Sequence, residues 1–190
     1  AKRPVIVAGS GVRSSGGAEA LVRLAEQMQV PVATSLTAKD SILESNPLSV
    51  GVVGTYSGRS ANQVVSDADL VIFVGTRAGG MTTHFWTIPA EGTAAVQIDI
   101  DPGVTGRNYP TDVSVVGDAK ATLERMAELN TPVPASRGAW LDKVARIRKS
   151  YADDHTGDYT SNATPIHPAR IVHELSEAMP KDAIVVVDTG

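Results

Sequence analysis

A glycine-containing segment near the start of the chain, Gly9–Ser14, is the first that could bind a phosphorylated ligand. Glycines let the backbone approach a pyrophosphate, and the N-terminus of a following helix offers free N–H groups and the positive end of its dipole. The dinucleotide-binding fingerprint has a third Gly or Ala where this sequence has Ser14, and an acid where the second strand ends in Thr34. Three interpretations stay open: an NAD-binding loop, a site for another nucleotide, or a tight strand–helix turn without a ligand.

Charged side chains follow two later apolar segments. Asp99 and Asp101 flank Ile100 at the end of one segment, and alternation along a strand sends both carboxylates to the same face. They would either hold the hydroxyls of a ribose or cap the loop backbone before Pro102. Arg77 closely follows the other segment and would either contact a phosphate or form an ion pair with one of the two acids.

The sequence lacks the patterns that are typical of several kinds of catalytic or metal site. The histidines, which lack the spacing of a metal site, are His84, His155, His167 and His173. We expect His167, directly before Pro168, to be a helix cap or a surface residue. The motifs GxSxG and GxxxxGK(S/T) do not occur, which argues against a hydrolase nucleophile and a P-loop NTPase. The chain also has no cysteine, so it has no disulfide, thiolate nucleophile or cysteine metal site, and we predict neither catalytic residues nor a metal site.

Composition narrows the class of protein. The 190 residues are 42% hydrophobic but only 4% aromatic, so the core must consist of Val, Ile, Leu and Ala, as in a parallel sheet covered on both faces. A formal net charge of -4 argues against a nucleic-acid partner. The longest apolar runs, Leu70–Val74 and Ala183–Val187, are too short to span a bilayer, and Lys2 and Arg3 lead into a strand rather than a signal peptide. We expect a cytoplasmic protein without a membrane partner.

Alternating strand and helix patterns position these side chains. The predicted strands are residues 4–8, 30–34, 70–74, 94–100 and 113–116, and the predicted helices are residues 17–29, 60–68 and 119–129. Residues 35–59 are predicted to be rich in loops. This order predicts an α/β fold with a doubly wound, mostly parallel, Rossmann-like sheet of about six strands.

The carboxyl ends of parallel strands lie at one edge of such a sheet, and ligands bind there. We therefore predict that four segments gather at this edge: Gly9–Ser14, Thr34–Thr37, Gly75–Gly80 and Asp99–Pro102. Asp118, which follows the strand of residues 113–116, is predicted to cap the next helix.

The C-terminal part of the chain has a different pattern. Two closely spaced prolines stiffen a linker at residues 131–136, and a helical extension is predicted at residues 138–152 and from Pro168 to Met179. The apolar run Ala183–Val187 is predicted as a strand that pairs with the edge of the sheet or with another copy of the chain, because an unpaired edge is a liability. Both chain ends are abrupt, so we expect a fragment of a larger protein.

The ordered set of segments resembles the central domain of thiamine-diphosphate-dependent enzymes of the acetolactate synthase-like family. The segments that carry the resemblance are residues 4–11, 30–34, 46–51 with Gly54, Ala61 and Asn62, 67–70, the strand into 75–77, 98–102, and Gly117 with Asp118. In the tail, Trp140, Ile166–Pro168 and Ile184–Gly190 resemble the family's linker helix, the segment after it and the first strand of its C-terminal domain.

The resemblance implies an organisation and an activity. Residues 1–130 would be the central nucleotide-fold domain, residues 131–165 a linker with a helix, and residues 166–190 the truncated start of the C-terminal thiamine-diphosphate-binding domain. The parent would be a lyase or transferase that acts on carbon–carbon bonds of 2-oxo acids or related acyl donors. Its N- and C-terminal catalytic domains would hold thiamine diphosphate and Mg²⁺, and it would be a homo-oligomer, either a dimer or a tetramer. The chain itself would be an inactive structural domain.

Members of this family carry FAD, ADP or no cofactor in the central domain. By resemblance, the cofactor-binding positions map onto Gly9, Gly11, Ser35, Leu36, Thr55, Arg77, Asp99, Asp101 and Asp118. FAD-dependent members have a Phe-Asp-Asp-Arg-like run where this sequence has Ala78–Met81, which counts against flavin. Two other functions stay open: the NAD-binding domain of an oxidoreductase, which an acid near Thr34 would have favoured, and a module that senses ADP or FAD or binds a partner.

Overall fold

The computed structural model describes residues 1–186, and a six-stranded sheet forms its centre. The strands are β1 (Pro4–Ala8), β2 (Val32–Thr34), β3 (Ser49–Val52), β4 (Leu70–Val74), β5 (Ala94–Asp99) and β6 (Val113–Val116). They lie in the order β3-β2-β1-β4-β5-β6, and every neighbouring pair is parallel. The predicted doubly wound parallel α/β fold is confirmed.

Strand β1 shows why the sheet is covered on both faces. All its residues are buried, as an unbroken apolar run predicts for a central parallel strand. Val5 and Val7 belong to one buried apolar cluster and Ile6 and Ala8 to another, because successive side chains of a strand point to opposite faces. The sheet therefore has a core on each side.

Residues 1–186 contain six helices. They are α1 (Ser10–Ser14), α2 (Ala18–Met28), α3 (Arg59–Asp67), α4 (Ala119–Glu128), α5 (Arg137–Tyr159) and α6 (Pro168–Ala178), and a 3₁₀ segment spans Leu36–Ser41. Buried residues of α2 and α4 belong to one cluster, and buried residues of α3 and α5 belong to the other. In the second cluster, Trp140 of α5 donates its indole N–H to the carbonyl oxygen of Pro4 over 2.9 Å, which ties α5 to the start of β1.

Two predicted helix caps are confirmed. Asp118 precedes α4, and its Oδ1 accepts the backbone N–H of Ala121 over 3.0 Å. His167 precedes α6, and its Nδ1 accepts the backbone N–H of Ala169 over 3.3 Å. Both contacts satisfy an N–H group that has no partner within its helix.

The loop-rich stretch of residues 35–59 also contains the 3₁₀ segment and strand β3, which the sequence did not predict. Gly51 in β3 has a φ of +90°, and the register between β2 and β3 shifts between Val32 and Ala33. Such an irregular strand has no clear period of two, so only its pairing with β2 identifies it. The glycine turn predicted after β1 is also more regular than expected, since Ser10–Ser14 form α1.

Two predictions for the C-terminal part are wrong. Helix α5 continues beyond residue 152 to Tyr159, where contacts one turn apart support it: His155 Nδ1 lies 2.8 Å from Tyr151 O, and Thr156 Oγ1 donates to Ala152 O over 3.0 Å. Residues 183–186 form no strand, and Ile184 and Val186 are almost fully exposed. An apolar run becomes a strand only beside a pairing partner, and pairing of this run with another copy of the chain stays a prediction. Val187, the last residue of that predicted strand, lies outside the described residues.

The chain divides into two compact units, residues 1–149 and residues 150–190. The first contains the sheet with α1 to α4, and the second contains α6. The division into residues 1–130, 131–165 and 166–190 stays a prediction. Within residues 1–186, no helix combines the length and the apolar character that crossing a membrane requires.

Candidate functional site at the carboxyl edge of the sheet

The strand order reverses between β1 and β4, the point where ligands bind in sheets of this topology. Here the loops that follow the two strands touch each other. Gly9 N donates to Val74 O over 2.8 Å, and Gly11 N donates to Gly75 O over 2.9 Å. These two amides therefore already have protein acceptors and are not free to bind a phosphate.

The glycines are required by this contact between loops. A Cβ atom on Gly9 would overlap the carbonyl oxygen of Gly75 and the Cβ of Thr76, and a Cβ on Gly11 would lie 2.7 Å from Gly75 Cα. Gly75 itself has a φ of +59°, a left-handed conformation that glycine adopts without steric cost. The pattern that resembles a pyrophosphate-binding loop thus allows one loop to pack against its neighbour.

Beside this contact lies a cleft of about 400 Å³, which we call the hydroxyl cleft. Its lining consists of Ser10, Gly11, Ser14, Ser35, Thr37, Gly75, Thr76, Arg77, Thr82 and Asp99. Each of the four predicted edge segments contributes to this lining, so their gathering at one edge is confirmed. Hydroxyl groups both donate and accept hydrogen bonds, and the exposed Arg77 adds a cation, so the cleft suits a polar ligand that carries an anionic group.

A smaller cleft of about 210 Å³, the acidic cleft, lies on the side of β6 and α4. Its lining consists of Gly11, Ser14, Ser15, Gly75, Asp99, Ile100, Asp118 and Ala119. Asp99 lines both clefts, and Asp118 adds a second carboxylate to the smaller one. Two carboxylates favour hydroxyl groups or a cation over a phosphate at this end.

The acids at the end of β5 hold the loop backbone. Asp99 Oδ1 accepts the N–H of Asp101 over 3.0 Å, and Asp101 Oδ1 accepts the N–H of Gly103 over 2.8 Å. Of the two interpretations of this pair, loop capping is therefore the one that the structure shows. Within residues 1–186, Arg77 forms no ion pair with either acid, so its cation stays available to a ligand.

The structure brings some of the predicted positions together and separates others. Gly11, Ser35, Arg77 and Asp99 meet in the hydroxyl cleft, and Asp118 joins Gly11 and Asp99 in the acidic cleft. The positions that line neither cleft are Gly9, Leu36, Thr55 and Asp101. Gly9 is buried in the contact between loops and Leu36 is exposed. The Thr55 hydroxyl is buried and has no hydrogen-bond partner among the described residues.

Five hydroxyl residues of the larger cleft are additional to those positions: Ser10, Ser14, Thr37, Thr76 and Thr82. A signal for them exists in the sequence, because Ser and Thr recur directly after β1, β2 and β4. Ser14 stands out only as the departure from the dinucleotide fingerprint, and here it is a lining residue of both clefts.

The buried Arg137 lines neither cleft. Burial lowers the pKa of Arg137, although the charge of Asp69 acts in the opposite direction. Within residues 1–186, no group of three or more His, Cys, Asp or Glu side chains comes together as a metal site. The hydroxyl cleft is suited to binding by hydrogen bonds and by the charge of Arg77.

A comparison with protein families places this fold in a known group. The family described as the central domain of thiamine pyrophosphate enzymes matches residues 1–126. The match covers the whole sheet and α1 to α3, together with most of α4.

Three relatives align with the whole chain. A probable acetolactate synthase large subunit of Methanocaldococcus jannaschii is 34% identical over 196 aligned residues, which are 32% of its own length. The acetolactate synthase large subunit of Parasynechococcus marenigrum is 32% identical, and the sulfoacetaldehyde acetyltransferase of Castellaniella defragrans is 31% identical. The chain spans 30% and 36% of these two proteins, respectively, so it covers about a third of the length of each relative.

Proposed function

This chain belongs to the central domains of thiamine pyrophosphate enzymes, and from that premise we propose that the whole protein is a thiamine-diphosphate-dependent lyase or transferase. It acts on carbon–carbon bonds of 2-oxo acids or related acyl donors. The observation that carries this proposal is the alignment of acetolactate synthase large subunits and a sulfoacetaldehyde acetyltransferase with the entire chain, at 31%, 32% and 34% identity.

Within that protein, the chain is a structural domain that joins two catalytic domains and is inactive alone. Thiamine diphosphate supplies a nucleophilic ylid when it is bound. Its diphosphate is normally bound through Mg²⁺, which takes oxygen ligands. Because the family match over residues 1–126 makes this chain the central domain, we assign cofactor and metal to the N- and C-terminal domains. The whole protein is a cytoplasmic homo-oligomer, either a dimer or a tetramer.

The hydroxyl cleft is the part of this chain that we assign to a ligand, namely the diphosphate of an adenosine nucleotide such as ADP. Its hydroxyl groups and Arg77 supply hydrogen-bond donors to phosphate oxygens. Ligand clefts span roughly 300–1,000 Å³, and a cleft of about 400 Å³ suits a mononucleotide better than a complete FAD. The occupied amides of Gly9 and Gly11 also argue against a conventional dinucleotide loop.

Turnover of 2-oxo acids tests the activity of the whole protein. The full-length enzyme should decarboxylate pyruvate or a related 2-oxo acid only when thiamine diphosphate and Mg²⁺ are both added. The 190-residue chain alone should show no turnover under the same conditions. Absence of thiamine-dependent turnover by the full-length enzyme across a panel of 2-oxo acids and acyl donors would contradict the proposed activity.

Calorimetric titration with ADP tests the hydroxyl cleft. Arg77→Ala should weaken binding about tenfold, because a charge-assisted hydrogen bond to phosphate is lost. Arg107→Ala removes another exposed arginine that does not line the cleft, so it is the matched control and should bind like the unaltered chain. FAD is titrated in parallel, and binding of FAD more tightly than ADP would replace the assignment by a flavin site.

A further inference from the structure

The loop that follows β4 holds aromatic side chains in an unusual backbone conformation. His84, Phe85 and Trp86 have φ values of 48°, 54° and 61°, so three consecutive residues other than glycine are left-handed. This conformation is sterically costly for L-residues, which normally adopt it only as single residues. Strain of this kind persists only where the surrounding structure imposes it, and it clusters at ligand sites.

Thr83 imposes the conformation of this loop. It is 1% exposed, and its hydroxyl donates to Gly79 O over 3.1 Å while it accepts the N–H of Trp86 over 3.0 Å. Phe85 N donates to Gly80 O over 2.6 Å, which closes the turn from the other side. The loop is therefore fixed, yet Phe85 and Trp86 remain 62% and 58% exposed. An ordered loop that presents large apolar side chains to solvent is typical of a recognition surface.

Trp86 forms one wall of a cleft of about 490 Å³, which we call the Trp86 cleft. The lining consists of Trp86, Pro89, Glu91, Gly92, Thr93, Asn108, Tyr109, Pro110, Thr111 and Asp112. Tyr109 is fixed, because its hydroxyl donates to Ala90 O over 3.0 Å and its ring lies 5.7 Å from the ring of Phe73. The cleft thus combines aromatic and proline walls with two carboxylates.

The carboxylates give the cleft a negative charge. Within residues 1–186, neither Glu91 nor Asp112 forms an ion pair. Asp112 Oδ2 accepts the N–H of Ala95 over 2.8 Å, which fixes the orientation of the carboxylate without neutralising it. Burial raises the pKa of Tyr109, and the charges of Asp112 and Glu91 raise it further, so both carboxylates lie close enough to act on the wall of the cleft.

We propose that the Trp86 cleft binds an organic cation, namely a guanidinium or alkylammonium group carried on an apolar stem. The cation lies over the indole face and is balanced by Glu91 and Asp112, while the stem contacts Pro89 and Pro110. Aromatic faces attract cations through their quadrupole, and the two carboxylates repel phosphates and other anions. The cation is either an arginine or lysine side chain of a protein or a free organic amine.

The test is a calorimetric titration of the 190-residue chain with n-butylguanidinium and, as a neutral analogue of the same shape, n-butylurea. Butylguanidinium should bind at least about tenfold more tightly than butylurea, and its affinity should fall as salt is added. Glu91→Gln and Trp86→Ala should each weaken butylguanidinium binding by about threefold to tenfold. Phe85→Ala is the matched control, since Phe85 is exposed on the same loop but does not line the cleft, and its affinity should be unchanged.

A short blocked peptide with one central arginine distinguishes the two sources of the cation. Binding of the peptide more tightly than butylguanidinium assigns the cleft to a protein side chain, and equal or weaker binding assigns it to a free organic cation. Equal affinities for butylguanidinium and butylurea would overturn the proposal. Wild-type affinity in Glu91→Gln would overturn it as well, because this variant keeps the shape of the cleft and removes only its charge.

Discussion

The two units of the chain, residues 1–149 and residues 150–190, differ in how deeply they bury apolar side chains. In the first unit, Leu21 and Leu24 of the amphipathic helix α2 are 0% and 1% exposed. In the second unit, Ile171 and Leu175 of the similarly amphipathic helix α6 are 46% and 53% exposed. A periodic apolar stripe predicts a helix in both units, but it predicts burial only where a sheet offers a complementary face. The stability of the described chain should therefore reside in the first unit.

The largest loss of stability that this difference predicts is at a buried side chain of β4. Phe73 is 1% exposed, and Phe73→Ala should lower the free energy of unfolding by about 3–5 kcal/mol, because it removes buried contacts and leaves a cavity. Leu175→Ala in α6 is the matched truncation and should change it by less than about 0.5 kcal/mol. Urea unfolding followed by circular dichroism, which reports the helices of both units, measures both variants. Similar losses in the two variants would show that α6 is buried as deeply as the sheet.

The contact between the loops after β1 and β4 should be nearly as sensitive as the core. Gly9 has an extended backbone, so Gly9→Ala adds no left-handed strain, but its Cβ would overlap Gly75 and Thr76. We expect a loss of about 1–3 kcal/mol, as for overpacking elsewhere. Gly79→Ala is the control, because no atom of residues 1–186 outside its immediate neighbours lies within 4 Å of the new Cβ, and the substitution should cost little stability. A Gly9→Ala variant as stable as the Gly79→Ala control would mean that the two loops can separate.

Sequence patterns predict the regular strands of the sheet, but they fail where the formation of a strand depends on its pairing partner. Strands β1, β2, β4, β5 and β6 follow from apolar runs bounded by turn residues. Strand β3 does not, because its Gly51 is left-handed and its register with β2 is irregular. Residues 183–186 show the opposite error, since an apolar run without a pairing partner is read as a strand. Both errors arise because strand formation depends on a neighbour that is distant in sequence.

The candidate site likewise combines features that the sequence predicts with features that it does not. Parallel strands bring their carboxyl ends to one edge, so the gathering of Ser10, Ser35, Arg77 and Asp99 in one cleft is predictable from topology. The function of the glycines is not, because Gly9 and Gly11 resemble a phosphate-binding loop until the position of Gly75 is known. The orientation of Trp86 depends on three left-handed residues that no local pattern announces.

Arg137 is a buried charged residue in the first unit. It is 5% exposed, its Nε and Nη1 have no hydrogen-bond partner within residues 1–186, and burial lowers the pKa of its guanidinium despite the charge of Asp69. Replacing a buried charge by an apolar side chain of similar length is often neutral or stabilising, so Arg137→Met should leave stability unchanged or raise it by about 1 kcal/mol. Arg137→Lys retains a charge and should not be stabilising. A loss of stability in the methionine variant alone, measured by thermal unfolding, would show that the guanidinium has an attractive partner.

The smallest predicted effect is a pH dependence at the other end of the sheet. Burial would raise the pKa of Asp69, but the backbone N–H groups of Arg3 and Lys2, each 2.8 Å from one of its oxygens, and the charge of Arg3 outweigh burial and lower the pKa. A lowered pKa in the folded state stabilises the fold above the unfolded value of about 4, and this contribution disappears as the pH falls through the folded pKa. Asp69→Asn should therefore be less stable than the unaltered chain at neutral pH, by less than about 1 kcal/mol for a half-buried group, and the difference should shrink at an acidic pH below the unfolded pKa of about 4. Urea unfolding at both pH values measures the difference, and a difference that is independent of pH would show that the amide and carboxylate bind these N–H groups equally well.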